Sequence, residues 1–229
     1  MKPLLILRPE PGAAETAARA RAQGLQPQVF PLFEGRSVDW GIDRQTPYDA
    51  IFITSANALN YGHIIPSNLP SGPVFAVGAA TAAAANAAGF TDVYAGDEDA
   101  AALADLAASL GRRHLLWLAG RAHMPLSHPD LTFDVKIVYD MVETPPSASF
   151  LEAVRQPCVA LIHSPNAARR FAALVPDRAR IDLVAISEKA AMTAGPGWAT
   201  TCWPERPSTE AMLHLAAPLC RRDETGTST

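Results

Sequence analysis

Two short stretches, IFITSANAL at residues 51–59 and ALIHSPNAA at residues 160–168, carry the same Ser-x-Asn turn after an apolar run, 109 residues apart. The spacing is not confined to them. Phe75-Ala76-Val77-Gly78 aligns with Val184-Ala185-Ile186-Ser187, Val29-Phe30 and Glu34 align with Val138-Tyr139 and Glu143, and Leu110 aligns with Leu219, all at the same offset. Leu4-Leu5 aligns with Leu115-Leu116 at 111, so the second copy is about two residues shorter near its first helix. An offset held across separate segments predicts two similar folding units in one chain.

Within each unit, strand and helix signals alternate. The apolar run at 4–7 leads through Pro9–Gly12 into an Ala, Glu and Arg-rich stretch at 13–23 that stops at Gly24, the pattern of a strand followed by a helix. Similar runs at 50–54, 74–77 and 115–118 each enter a turn; the first two open Ala-rich segments, whereas the helix signal after Leu118 is weak. Such alternation predicts α/β units with parallel sheets covered by helices. Most of the 20 prolines fall between these elements, as at Pro66, Pro70, Pro73, Pro145, Pro146 and Pro157, marking connections.

Composition narrows the function classes. With 229 residues, 48% of them hydrophobic, the chain can bury full cores. A net charge of −4 argues against a nucleic-acid partner, which draws a basic face. No apolar run reaches the roughly 18–20 residues of a membrane span, and Met-Lys-Pro before one short apolar strand lacks a signal-peptide layout, so cytoplasm is the expected location. Cys158, Cys202 and Cys220 show no CxxC spacing and read as ordinary thiols. His63, His114, His123, His128, His163 and His214 show no HExxH or clustered spacing, and no metal is expected. The phosphate-cradling GxGxxG and GxxxxGK[ST] patterns are missing, which counts against a nucleotide-binding enzyme. A two-lobed protein that binds a small anionic ligand without catalysis stays open on these grounds.

LILRPEPGAAETAARARAQG, VFPLFE, IFITSANAL, VFAVGAATAAAANAAGF, IVYDMVETPP, ALIHSPNAA and RPSTEAMLHLA resemble, in type and order, the uroporphyrinogen-III synthase family over nearly the whole chain. The resemblance implies two flavodoxin-like domains joined by a two-strand linker, the first built from both chain ends: residues 1–35 and 146–229 around 36–145. It implies cyclisation of the linear tetrapyrrole hydroxymethylbilane to uroporphyrinogen III, with loss of water and inversion of the last pyrrole ring. No cofactor and no metal are implied, because the electron-rich substrate ionises readily and the protein's task is orientation. The expected state is a monomer that meets the preceding enzyme of its pathway only transiently.

The substrate carries eight carboxylates. Ligands of parallel α/β sheets bind beyond the carboxyl ends of the strands, where helix N-termini present N–H groups. The candidates there are Ser55, Ala56 and Asn57, with Gly78 and Thr81, in the first copy, and Ser164, Pro165 and Asn166, with Ser187 and Lys189, in the second. The family reading places one such turn in each wall of an interdomain cleft; helix capping alone also explains Ser55 and Ser164. Thr81 resembles a family threonine, but its partner in the second copy is Ala190, which counts against a symmetric contact. Tyr139 matches a recurrent family tyrosine. Its repeat partner is Phe30, so packing at that place accepts a ring without a hydroxyl and the oxygen is free for use as a general acid, a weak one given a phenol pKa of about 10. Arg121 is favoured over Arg8 and Arg36 as a carboxylate partner, with His123 standing where the family often has a second basic residue. Asp97, Glu98 and Asp99 read as acids complementing a helix dipole.

Overall fold

A computed structural model of the chain describes residues 1–43, 45–96 and 99–222. The chain divides into two compact units, one made of Met1–Glu34 with the chain from Glu143 on, the other of Gly35–Val142.

Unit one begins with β1 (Leu4–Ile6), α1 (Gly12–Ala22) and β2 (Pro27–Val29); β3 (Phe33–Ser37) carries the chain on. Unit two follows with β4 (Ala50–Ile53), α2 (Asn57–Tyr61), β5 (Val74–Val77), α3 (Ala79–Ala87), β6 (Val93–Gly96), α4 (Ala100–Ser109), β7 (His114–Gly120) and β8 (Thr132–Glu143). Unit one then resumes with α5 (Ala148–Ala153), β9 (Cys158–Ile162), α6 (Pro165–Leu174), β10 (Ile181–Ala185), α7 (Glu188–Ala194), β11 (Thr200–Cys202) and α8 (Thr209–Arg221).

The sheet of unit one has the order β11-β10-β9-β1-β2, and its strand pairs are parallel. The sheet of unit two has the order β3-β8-β7-β4-β5-β6. Counting from β1, unit one reads second, first, third, fourth, fifth across the sheet, the flavodoxin-like winding. Unit two gives the same row if counting starts at β7 and wraps round to β4, with β3 added at the edge. The chain therefore enters unit two at its third strand and leaves by its second. That explains the repeat: β4 and β9 hold one place in the two sheets, and so do β7 and β1.

The central strands have no exposed residue. β1, β4, β9 and β10 read LLI, AIFI, CVALI and IDLVA and are buried throughout, as parallel strands covered on both faces require. In unit one Leu5, Leu7, Ala160 and Ile162 pack with Phe150, Phe171 and Trp198, while Leu4, Ile6, Val159 and Leu161 face Ala13, Ala17, Met212 and Leu213 of α1 and α8. Unit two divides likewise, with Ile51, Ile53, Leu116 and Leu118 on one side and Phe52, Phe75, Leu115 and Trp117 packed with Leu103 and Ala104 of α4 on the other. The copies differ between their first and second strands, where unit one has α1 and unit two has an irregular connection over 121–131. Pro125 and Pro129 in that stretch remove backbone donors and block a continuous helix. No helix among the described residues is long and apolar enough to cross a membrane.

Candidate functional site

The sheet registers bring the candidates of each unit onto one edge. In unit two, Gly120 of β7 lies opposite Tyr139 of β8, Leu118 of β7 opposite Ile53 of β4, and Ile53 opposite Ala76 of β5. Tyr139, Arg121, the Ser55 turn and Gly78 therefore follow one another along the carboxyl edge. In unit one, Ile6 lies opposite Leu161 and Ile162 opposite Ala185, so Arg8, Ser164 and Ser187 line the corresponding edge.

The doubled Ser-x-Asn turn is built differently in the two units. Ser164 has extended backbone and its Oγ accepts the Ala167 N–H at 3.1 Å, a full N-cap for α6. Pro165 fills the first helical position and disfavours the helical region for the residue before it, which holds Ser164 in the capping conformation. Asn166 is exposed; its Oδ1 accepts from Arg169 Nη1 at 3.0 Å. In unit two the residue before α2 is Ala56, helical at φ −55° with no side-chain cap bond. Ser55 Oγ accepts only the Asn57 N–H, at 3.3 Å. Asn57 Nδ2 approaches Met141 Sδ at 3.9 Å. Capping thus accounts for Ser164 and does not account for Ser55.

At the next turns, Gly78 takes φ +79° at the start of α3, a left-handed value that favours glycine. Thr81 is buried, with its N–H on the Gly78 carbonyl at 3.1 Å. Its counterpart Ala190 is buried in α7. Ser187 caps α7 through the Ala190 N–H at 3.4 Å, and Lys189 is exposed beside it. A capping hydroxyl spends one acceptor lone pair and keeps its O–H to donate. Ser164 and Ser187 can therefore serve a helix and an anion together.

Tyr139 is 8% exposed. Its ring lies 6.0 Å from that of Tyr61 and covers Gly120, where a Cβ would stand 2.5 Å from Tyr139 Cζ. The phenol oxygen has no hydrogen-bond partner among the described residues. Arg121, whose side chain is 59% exposed, is held by Asp140 at 2.8 Å between Nε and Oδ2, a surface pair of little net strength. His123 packs edge-on against Trp117 and its Nδ1 meets the Gly120 carbonyl at 2.9 Å. Arg36 is exposed on β3. Asp99 caps α4 through the Ala101 N–H at 2.9 Å; Asp97 and Glu98 lie outside the described residues. Burial pushes the Cys158 and Cys220 thiols up to about 12 and about 11. No group of three or more His, Cys, Asp or Glu among the described residues is placed to hold a metal ion.

Sequence reasoning passed over His163 as one histidine among six. Its imidazole is pushed down to about 3, chiefly by burial and then by the charge of Arg8, with the Leu161 backbone opposing. The available signal was its position, directly before Ser164 in one copy of the doubled turn.

Over residues 14–214 the sequence matches the family described as uroporphyrinogen-III synthase HemD. No curated protein matches the chain. Among solved structures, uroporphyrinogen-III synthetase from Helicobacter pylori aligns with a TM-score of 0.67 at 18% identity, covering 96% of this chain and 100% of that one. A mutant uroporphyrinogen III synthase from Thermus thermophilus aligns with a TM-score of 0.50 at 15% identity, again covering 96% and 100%. At such identities the structural likeness speaks to the fold, whereas the family match spans most of the sequence: the chain belongs to the uroporphyrinogen-III synthase family.

Proposed function

We propose that the protein converts hydroxymethylbilane to uroporphyrinogen III, a cyclising loss of water with inversion of the last pyrrole ring, in tetrapyrrole biosynthesis. The family match over residues 14–214 carries this reading. Tyr139 donates a proton to the departing hydroxyl. Its support is the phenol oxygen, which no described residue engages, opposite Gly120 at the carboxyl end of β7. Once water has left, the pyrrole chain is its own electrophile and nucleophile, and the protein's contribution is to hold one geometry.

The substrate carboxylates are held by Ser55, Ala56, Asn57, Gly78, Thr81 and Arg121 from residues 36–145, and by Ser164, Pro165, Asn166, Ser187 and Lys189 from a domain of residues 1–35 and 146–229. The grouping of these residues on the carboxyl edges of their sheets supports that assignment. Arg121 contributes by exchanging Asp140 for a substrate carboxylate. The protein works without metal or organic cofactor, as a cytoplasmic monomer in transient contact with the enzyme that makes its substrate. No observation favours a binding protein without catalysis.

Supplying enzymatically made hydroxymethylbilane and separating the I and III isomers after oxidation tests the reading. Isomer III above the spontaneous background is expected, before and after exhaustive chelation. Isomer I alone rejects the activity, and loss on chelation that one metal ion restores rejects the cofactor-free mechanism.

A further inference from the structure

Neither ring nitrogen of His163 touches solvent, and its polar neighbour, the Leu161 backbone, is not placed to complete a well-formed hydrogen bond with either. A buried donor and acceptor left unpaired are a standing penalty on the fold and call for a reason. Parallel pairing sets Ile6 opposite Leu161, so one further two-residue step brings Arg8 beside His163. Leu4, Ile6, Val159 and Leu161 all face the core under α1 and α8; the same period turns Arg8 and His163 to that side. Arg8 Nη1 donates to Thr209 Oγ1 at 3.3 Å in the first turn of α8, and its guanidinium covers Gly12, where a Cβ would stand 2.5 Å from Cζ. Glu10 Oε2 already accepts the Ala14 N–H in α1, at 2.8 Å, so the grouping does not depend on that helix end.

The repeat supplies an internal control. In unit two Ile53 lies opposite Leu118, which puts Thr54 and Ala119 at the places of His163 and Arg8. The same strand register forms there with neither imidazole nor guanidinium, so the winding does not require the pair. A neutral imidazole offers one N–H donor and adds no second cation beside Arg8.

We propose that Arg8 and His163 form a carboxylate-binding subsite of unit one, Arg8 supplying the charge and the His163 ring N–H one hydrogen bond to the same carboxylate. Loading it requires Arg8 to exchange its present contacts, among them the Thr209 bond at the long end of the usual range. The identification of the ligand as one carboxylate of the tetrapyrrole rests on the function proposed above.

His163→Phe keeps a planar aromatic ring, somewhat larger than imidazole, and removes the donor. Loss of a hydrogen bond to a charged group predicts a rise in KM of about tenfold, with kcat within about twofold and no loss of thermal stability. Arg8→Met should raise KM as well, and the double variant should be no worse than the poorer single one. A His163→Phe KM within about twofold of wild type, or losses that multiply in the double variant, overturns the subsite. Should the phenyl ring prevent folding, the wild-type protein decides: the ring signals of His163 in NMR should move when reduced uroporphyrinogen III is added, and unmoved signals overturn the proposal. A wild-type protein that forms only isomer I fails the function itself, a result separable from either outcome.

Discussion

Phe30 follows β2 and Tyr139 lies in β8, the matching strands of the two units, but at different registers: Ile6 lies opposite Val29 and its counterpart Trp117 opposite Val135, so Lys136 stands at the place of Phe30 and Tyr139 three residues beyond it. Phe30 packs edge-on against Phe150, 5.7 Å between ring centres, and Tyr139 lies beside Tyr61 over Gly120; each ring is held by apolar neighbours. Tyr139→Phe should therefore unfold within about 2 °C of wild type while turnover falls about 100-fold, the low end for a general acid, measured as the initial rate of isomer III formation. Unchanged turnover would leave Tyr139 a packing residue. His163 makes an opposite kind of claim, on stability. Between pH 6.5 and about 3 the unfolded chain binds a proton that the native imidazole refuses, so native stability drains away as pH falls through that window. At pH 4 the loss is about 3 kcal/mol. Urea midpoints of wild type and His163→Phe should lie further apart at pH 4 than at pH 7.5, the variant being the more resistant. Tyr139 was legible in the sequence through the family resemblance alone. The Arg8–His163 neighbourhood was not, since strand pairing creates it between residues 155 positions apart.

At the scale of elements, one motif gives two kinds of helix start. The difference lies in the residue between Ser and Asn: Pro165 leads a ten-residue helix behind an extended Ser164, whereas Ala56 is itself helical and α2 runs only five residues. Ser164→Ala should cost about 0.5–2 kcal/mol, the usual range for a lost N-cap, and Ser55→Ala clearly less, by equilibrium denaturation. Both should weaken binding of reduced uroporphyrinogen III, with the effect shrinking as salt rises and screens carboxylate contacts near the surface. Equal stability losses for the two serines would contradict the difference in capping. The strands and the Ser164 cap followed from local signals in the sequence, whereas the caps by Ser187 and Asp99 are findings of the structure. The weaker bonding of Ser55 did not, because the repeat hides what Pro165 changes.

For the whole molecule, the repeat in the sequence announced two similar α/β units, and the resemblance supplied the swap between them; neither contains the register that aligns the turns on each sheet edge. The wrapped winding has a consequence in time. Gly35–Val142 is one unbroken stretch, and its sheet can close as soon as β8 has been made. The centre of unit one joins Leu4 to Val159 and Ile6 to Leu161, so β1, α1 and β2 must wait through the synthesis of the whole intervening unit. Domains fold as units, and contacts between distant segments form slowly because loop closure precedes any gain. Unit two should therefore mature first even though the chain begins in unit one. Pulse-labelled hydrogen exchange during refolding should show protection at Ile51, Phe75 and Leu116 before protection at Leu5, Ala160 and Leu183; the reverse order would contradict it. Until β9 arrives, β1 has one flank without its neighbour, and the nascent protein spends that interval with an unfinished sheet edge of the kind that chaperones cover.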